Sequence, residues 1–217
     1  MIKVRTVFEK KGRAKYISHL DLNRFMMRAF RRSGLPIWYT EGFNPHPYVT
    51  FALALSLGFE SSCEIMDFNL NEGVAFAKVK RALNDVMPEG IQILSVTTPQ
   101  RKVTDIAKAE YTVEYICEDT EKMVSEIDDF MKKDEILIEK KTEKGMKTVD
   151  IKPVIEICDI RKKSDRIFVD ICLPAGTQNN FNPSLFTDAL KSSAEISFET
   201  GKISRNKILC ENNEIFF

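Results

Sequence analysis

The sequence predicts an α+β chain built as tandem ferredoxin-like (βαββαβ) halves with antiparallel sheets. Three observations predict it. The chain opens on a period-two strand, Ile2 to Glu9. A capped amphipathic helix follows, and then a strand pair, a second helix and a fourth strand. After a polar joint near residues 98–107, the same order of patterns recurs.

In chain order, residues 2–9 alternate as a strand, and Lys11-Gly12-Arg13 is a turn. Ser18 caps a helix running to about Ser33, with Asp21 three residues on, as in a capping box. Gly34 and Pro36 stop that helix. Residues 39–47 form a turn-rich loop. Two strands, 48–56 and 62–70, flank a turn at Gly58. Val74 to Val86 is a helix ended by Pro88 and Gly90, and Ile91 to Thr97 is a strand. In the second half, Lys108 to Cys117 is a strand. Glu121 to Met131 is a helix capped by Asp119 or Thr120. Residues 135–140 and 147–158 are strand material broken at Lys144-Gly145. Arg166 to Leu173 is a strand, and Asn182-Pro183-Ser184 opens a helix to about Lys191. A strand over 195–204 and a short tail strand over Lys207 to Cys210 close the chain. The domains are therefore 1–98 and 108–217, with a linker at 99–107.

Composition bounds the class. The 217 residues are 43% hydrophobic and 29% charged, with 32 basic against 32 acidic side chains. That balance excludes a wholly disordered or fibrous chain. No apolar run approaches the roughly 18 residues of a membrane span. Met1 to Arg5 opens no apolar stretch of signal-peptide length. The expected location is the cytoplasm. Five cysteines (Cys63, Cys117, Cys158, Cys172, Cys210) include no C-x-x-C pair. Zinc ribbons, thioredoxin-like motifs and iron–sulfur cradles are unsupported. Cys117, Cys158 and Cys172 lie in apolar runs and read as buried core residues. No cofactor is expected.

Charge is unevenly placed. Residues 1–60 hold ten basic and four acidic residues, a net of +6, and the remainder carries −6. Such asymmetry marks a surface that can meet RNA, although a solvated arginine-bearing helix face explains it equally. Asp21, Arg24, Arg28 and Arg31/Arg32 recur at steps of three and four on one face of the first helix. Leu22, Phe25, Met26 and Ala29 line the adjoining apolar face. Asp21 can orient Arg24 and Arg28 for bidentate phosphate recognition, or merely form a surface ladder with them. Ser18 and His19 stand at the helix start, where free N–H groups attract anions.

The chain's only two histidines, His19 and His46, flank this region. His46 sits between Pro45 and Pro47 in a stiff loop with Glu41, Phe43 and Asn44. Trp38, Tyr39 and Tyr48 border it. Aromatic rings interleaved with arginines suit single-stranded RNA, and purely structural anchoring of the loop is the competing account. His19 and His46 are candidate catalytic groups. A metal site from His19, His46, Asp21 and Glu41 is weak, because the histidines lack tight spacing.

Three segments carry a resemblance: Tyr16-Ile17-Ser18-His19-Leu20-Asp21-Leu22-Asn23-Arg24, Arg28-Ala29-Phe30-Arg31-Arg32-Ser33-Gly34-Leu35-Pro36 and Glu41-Gly42-Phe43-Asn44-Pro45-His46-Pro47. They resemble the bacterial radical-SAM-linked proteins, a domain of unknown function. The resemblance covers residues 1–97 and implies the stand-alone accessory form, since the chain has no radical SAM cysteine cradle. It implies a separately encoded radical SAM enzyme as partner and no established reaction. A fainter similarity in architecture and first-helix pattern is to CRISPR repeat-processing ribonucleases of the repeat-associated superfamily. The glycine-rich loop of those nucleases has only Pro174-Ala175-Gly176-Thr177 as a counterpart. The expectation is thus an RNA- or substrate-binding module serving a radical SAM enzyme. A metal-independent endoribonuclease and a protein–protein adaptor are the alternatives.

Overall fold

Four α-helices and a mainly antiparallel sheet make up the described chain. The computed structural model describes residues 1–142, 145–176 and 180–217; Lys144 and Thr177 lie outside them. The first half comprises β1 (Ile2–Lys10), α1 (His19–Arg32), β2 (Val49–Phe51), β3 (Glu60–Leu70), α2 (Phe76–Asn84) and β4 (Ile91–Thr97). The second comprises β5 (Ile106–Ile116), α3 (Thr120–Lys132), β6 (Leu137–Thr142), β7 (Gly145–Asp150), β8 (Glu156–Lys163), β9 (Arg166–Pro174), α4 (Pro183–Ser193) and β10 (Glu199–Cys210). One eight-stranded sheet runs β4-β1-β3-β10-β5-β9-β8, with β2 also paired to β3.

The helices start where side chains can satisfy their free N–H groups. Ser18, Asp119 and Asn182 each accept from the backbone of the first turn. Gly34, at φ 67°, takes the left-handed conformation just past α1. On α1 the buried residues are Leu22, Met26, Ala29 and Phe30, one helical stripe. With α2 they cover Val4 and Phe8 of β1 and Phe68 and Leu70 of β3. A second apolar cluster lies between α3, α4 and strands β5 and β9. Each fully buried side chain of this kind contributes about 1.5–3 kcal/mol. Leu53, Leu55, Phe59 and Ile65 of the first half belong to that second cluster.

Four expectations are corrected. The strand over 48–56 is only Val49–Phe51, because Leu53 and Ala54 turn their carbonyls to Arg205 instead of to a neighbouring strand. The strand over 195–204 and the tail strand are one element, β10; register shifts after Thr200 and Arg205 break its alternation. The extra strand material of the second half is a separate hairpin, β6 with β7. Cys158 is exposed, since a register shift between Ile157 and Asp159 turns it outward on the edge strand β8.

The halves meet at β3 and β10, which pair in parallel over only two positions, Ser204↔Glu60 and Arg205↔Ser61. Arg205 is 1% exposed and Glu64 3%. The guanidinium donates to Glu64 Oε1 at 3.1 and 2.5 Å and to the carbonyls of Leu53 and Ala54 at 2.9 and 3.2 Å. Burial opposes its charge, but Glu64 outweighs burial and keeps it protonated. Lys10 lies in the same field and donates to the Ile17 carbonyl at 2.7 Å. Burial pushes the neighbouring Cys63 thiol up to about 11, which leaves it unreactive. Replacing one partner of a buried pair strands the other charge. Arg205→Met is therefore expected to cost about 3–5 kcal/mol in urea unfolding. Arg205→Met combined with Glu64→Leu should recover part of that loss; an unchanged midpoint for the single variant contradicts this account.

The face of the second half away from its helices is polar. Thr112 donates to Asp170 Oδ1 at 2.5 Å, and Arg161 pairs with the same carboxylate. Burial would raise the Asp170 carboxyl, but the bonds from Arg161 and Thr112 hold it below its ordinary 3.8. A depressed folded value gives stability that is present above pH 3.8 and lost as the pH falls through the lower value. Asp170→Asn is expected to flatten the acid limb of stability below about pH 4. An acid limb identical to that of the parent chain contradicts it.

Candidate nucleic-acid interface

The start of α1 is built by its cap. Ser18 Oγ accepts from the Asp21 N–H at 3.1 Å and donates to Asp21 Oδ2 at 2.7 Å. Asp21 thus reaches back to the cap hydroxyl rather than to its backbone. His19 is exposed, and its ring meets Phe51 edge-on at 5.2 Å. Phe51 in turn packs on Phe8, so His19 is anchored to the helix-covered side of the sheet.

The arginine stripe faces solvent. Arg24 makes a long contact to Asp21, 3.4 Å with both side chains about 60% exposed. That geometry contributes almost nothing to stability. Arg28 and Arg31 are exposed and meet no carboxylate among the described residues. Arg32 donates to the Val86 carbonyl at 3.2 Å and lies over the Phe25 ring. Elsewhere in the basic end, Arg5 pairs with Asp67 and Lys11 with Glu9.

The 39–48 segment is an excursion from the sheet edge. Ile37 bridges Leu70 and Val49 pairs with Phe68, so the chain leaves β3 and rejoins it two residues further along. Tyr39 bridges Pro47, and Thr40 N–H donates to the His46 carbonyl at 2.9 Å. Glu41, Phe43 and Asn44 stand exposed at the tip, Phe43 completely so. His46 Nδ1 lies 2.9 Å from the Asn44 carbonyl and 3.2 Å from Thr40 Oγ1. A carbonyl only accepts, so Nδ1 carries the proton and Nε2 stays open. No hydrogen bond or ring contact joins His46 to His19. Among the described residues, no three acids, histidines or cysteines gather as a metal site.

The aromatic border of the loop turns the other way. Side chains alternate across a strand. Val4 and Phe8 face the helices, so Lys3 and Arg5 face the open side, opposite Asn69 and Asp67. Thr50 pairs with Asp67 on that side. There Trp38 and Tyr48 meet edge to face at 6.1 Å. Together with Lys3, Thr50, Asn69, Arg101 and Lys102 they line a groove of about 550 Å³. The C-terminal tail packs behind Arg5 and Arg101, which line the groove. Phe216 N–H donates to Ile208 O, and the Phe216 ring lies 4.6 Å from the Arg5 guanidinium. Arg101 is ion-paired with Glu214 of the same tail.

The sequence-predicted residues therefore fall into separate groups. Ser18, His19, Asp21 and Arg24 share one helix start, while Arg28 and Arg31 continue the solvent face of α1. Tyr39, Glu41, Phe43, Asn44 and His46 occupy the edge loop. Trp38 and Tyr48 open onto the groove on the far side of the sheet from α1. Sequence reasoning missed Lys3, Asn69, Arg101 and Lys102. The alternation of Lys3 and Arg5 was a visible sign, but their meeting with Asn69 and Lys102 depends on strand pairing.

Comparison with known proteins adds a family. No curated protein matches this chain. Among solved structures, it overlays a chain of a Cbf5-Nop10-Gar1 complex at TM-score 0.49 and 9% identity, over 94% of this chain and 48% of that one. It overlays a chain of an H/ACA RNP bound to a substrate RNA containing 2′-deoxyuridine at TM-score 0.49 and 8% identity, over 95% and 47%. The chain thus spans about half the length of the solved chains it matches. The family model DUF2344, "Uncharacterized protein conserved in bacteria", matches residues 3–183, and the chain belongs to that family.

Proposed function

We propose that this chain is a non-catalytic RNA-binding module that presents tRNA or rRNA to a separate radical SAM enzyme for modification or processing. One observation carries the reading: Arg28 and Arg31 are exposed on α1 and lack a carboxylate partner among the described residues. Unpaired guanidinium groups on one helical stripe suit successive phosphates. The fully exposed Phe43 at the neighbouring loop tip suits an unstacked base. The radical SAM partner rests on the resemblance carried by residues 16–24, 28–36 and 41–47. In this reading the module acts in the cytoplasm; no helix among the described residues is long and apolar enough to cross a membrane.

The architecture proposed with it is two ferredoxin-like halves, 1–98 and 108–217, joined at 99–107. The strand orders β4-β1-β3-β2 and β10-β5-β9-β8 support it, each half having the same connectivity once the β6–β7 hairpin is set aside.

A second reading, a metal-independent endoribonuclease, draws on the open Nε2 of His46. A base alone does not steady a phosphorane, and His19 is held against Phe51. The adaptor reading would have the arginines meet an acidic protein surface. Purified chain incubated with small RNAs in EDTA is expected to leave them intact; cleavage lost in His46→Ala would favour the nuclease.

The binding reading has its own outcome. Arg28→Ala with Arg31→Ala should weaken single-stranded RNA binding similarly for all sequences. The slope of log K against log salt should become shallower by about 1.4, from roughly 0.7 per phosphate contact. Filter binding across a salt series measures both. Failure to retain total RNA at low salt removes the proposal.

A further inference from the structure

We infer that the open-face groove is a pocket for a single unstacked nucleobase, read by Asn69 and stacked by Trp38 or Tyr48. This deepens the RNA-binding reading and rests on it. The groove's volume of about 550 Å³ falls in the roughly 300–1,000 Å³ range of small-ligand sites.

Asn69 points to the ligand. It is 7% exposed and lines the groove, yet its side-chain amide has no hydrogen-bond partner among the described residues. The residue is largely buried, but its amide is not among the fully buried polar atoms without a partner, so the amide opens onto the groove, where its hydrogen-bonding capacity is left for a ligand. An amide offers a donor and an acceptor side by side, the pattern that matches a base edge. Asn69 is fixed in place on β3, and its own carbonyl accepts from Trp38 N–H at 2.9 Å. The strand that carries the reading amide therefore also fixes the stacking ring.

The two rings are 69° apart, so a base lying flat on one meets the other edge-on. Stacking of this kind is worth roughly 1–3 kcal/mol per base. Charge favours an anion beside that base. Asp67, the acid in the groove, is neutralised by Arg5 through bonds of 2.8 and 2.7 Å. Lys3 and Lys102 have exposed ammonium groups with no carboxylate partner among the described residues. They stand at the groove's rim, where a phosphate attached to a bound base would lie.

Trp38 is the only tryptophan, so its fluorescence reports on this groove alone. The test titrates the full chain with single-stranded oligoribonucleotides and, separately, with the four nucleoside monophosphates. RNA binding is followed in parallel by anisotropy of labelled RNA. Saturable Trp38 quenching is expected, at lower concentration for one base type than for the others. Asn69→Leu should erase that preference and weaken quenching by roughly ten- to a hundredfold, the size of a paired base-edge contact. Tyr48→Leu, at a 42% exposed position that tolerates change, should weaken quenching for every base alike. Quenching by monophosphates as readily as by strands identifies a free nucleotide as occupant; quenching by strands alone identifies a nucleotide within RNA. RNA that binds by anisotropy while Trp38 emission stays constant overturns the pocket and leaves the arginine reading standing. No RNA binding by either readout overturns both.

Discussion

The buried pairing of Arg205 with Glu64 is the contact on which the rest of this structure leans. It joins β10 to β3 where only two parallel positions pair. Through the Leu53 and Ala54 carbonyls it also fixes the irregular segment between β2 and β3. A short parallel seam is a weak join by itself. A fully desolvated ion pair with four hydrogen bonds supplies direction as well as attraction, because any displacement leaves a charge without solvent or partner. Lys10, which pairs with Ser61 from the other side of β3, faces the same demand and meets it with the Ile17 carbonyl.

That seam decides which faces of the first half stay open. The α1–α2 layer occupies one side of β1 and β3. On the other side, the chain's end folds back along β10, and Phe216 and Phe217 cover the Arg5 guanidinium. What remains uncovered is the outer part of that face, between the 99–103 segment and the ring pair of Trp38 and Tyr48. The groove thus occupies what is left of the open side of β1 and β3 once the C-terminus has covered Arg5. The arginine stripe and the groove lie on opposite sides of one sheet, with the 39–47 loop at the edge between them.

Local chemistry was legible in the sequence wherever a single residue type settles it. Ser18, Asp119 and Asn182 cap helices because each carries a short oxygen-bearing side chain just ahead of an apolar stripe. The span of β4 was readable from alternation alone. Sequence failed where backbone irregularity or long-range pairing takes over. Register shifts hid the continuity of β10 and exposed Cys158. Nothing local in the sequence distinguishes the buried guanidinium of Arg205 from a solvated one. The candidate site divided in the same way: the stripe on α1 follows from helical spacing. The convergence of Lys3, Asn69 and Lys102 needs the pairing of β1 with β3 and the path of the 99–103 segment.

The central claim is that an RNA base enters the open-face groove and pairs with Asn69. Side-chain amide NMR during titration with short single-stranded RNA tests it most directly. The account predicts that the Asn69 amide protons shift downfield on saturation while those of Asn84, bonded to the Ile93 carbonyl from α2, stay put. An Asn69 amide signal that does not move when the RNA is fully bound contradicts it.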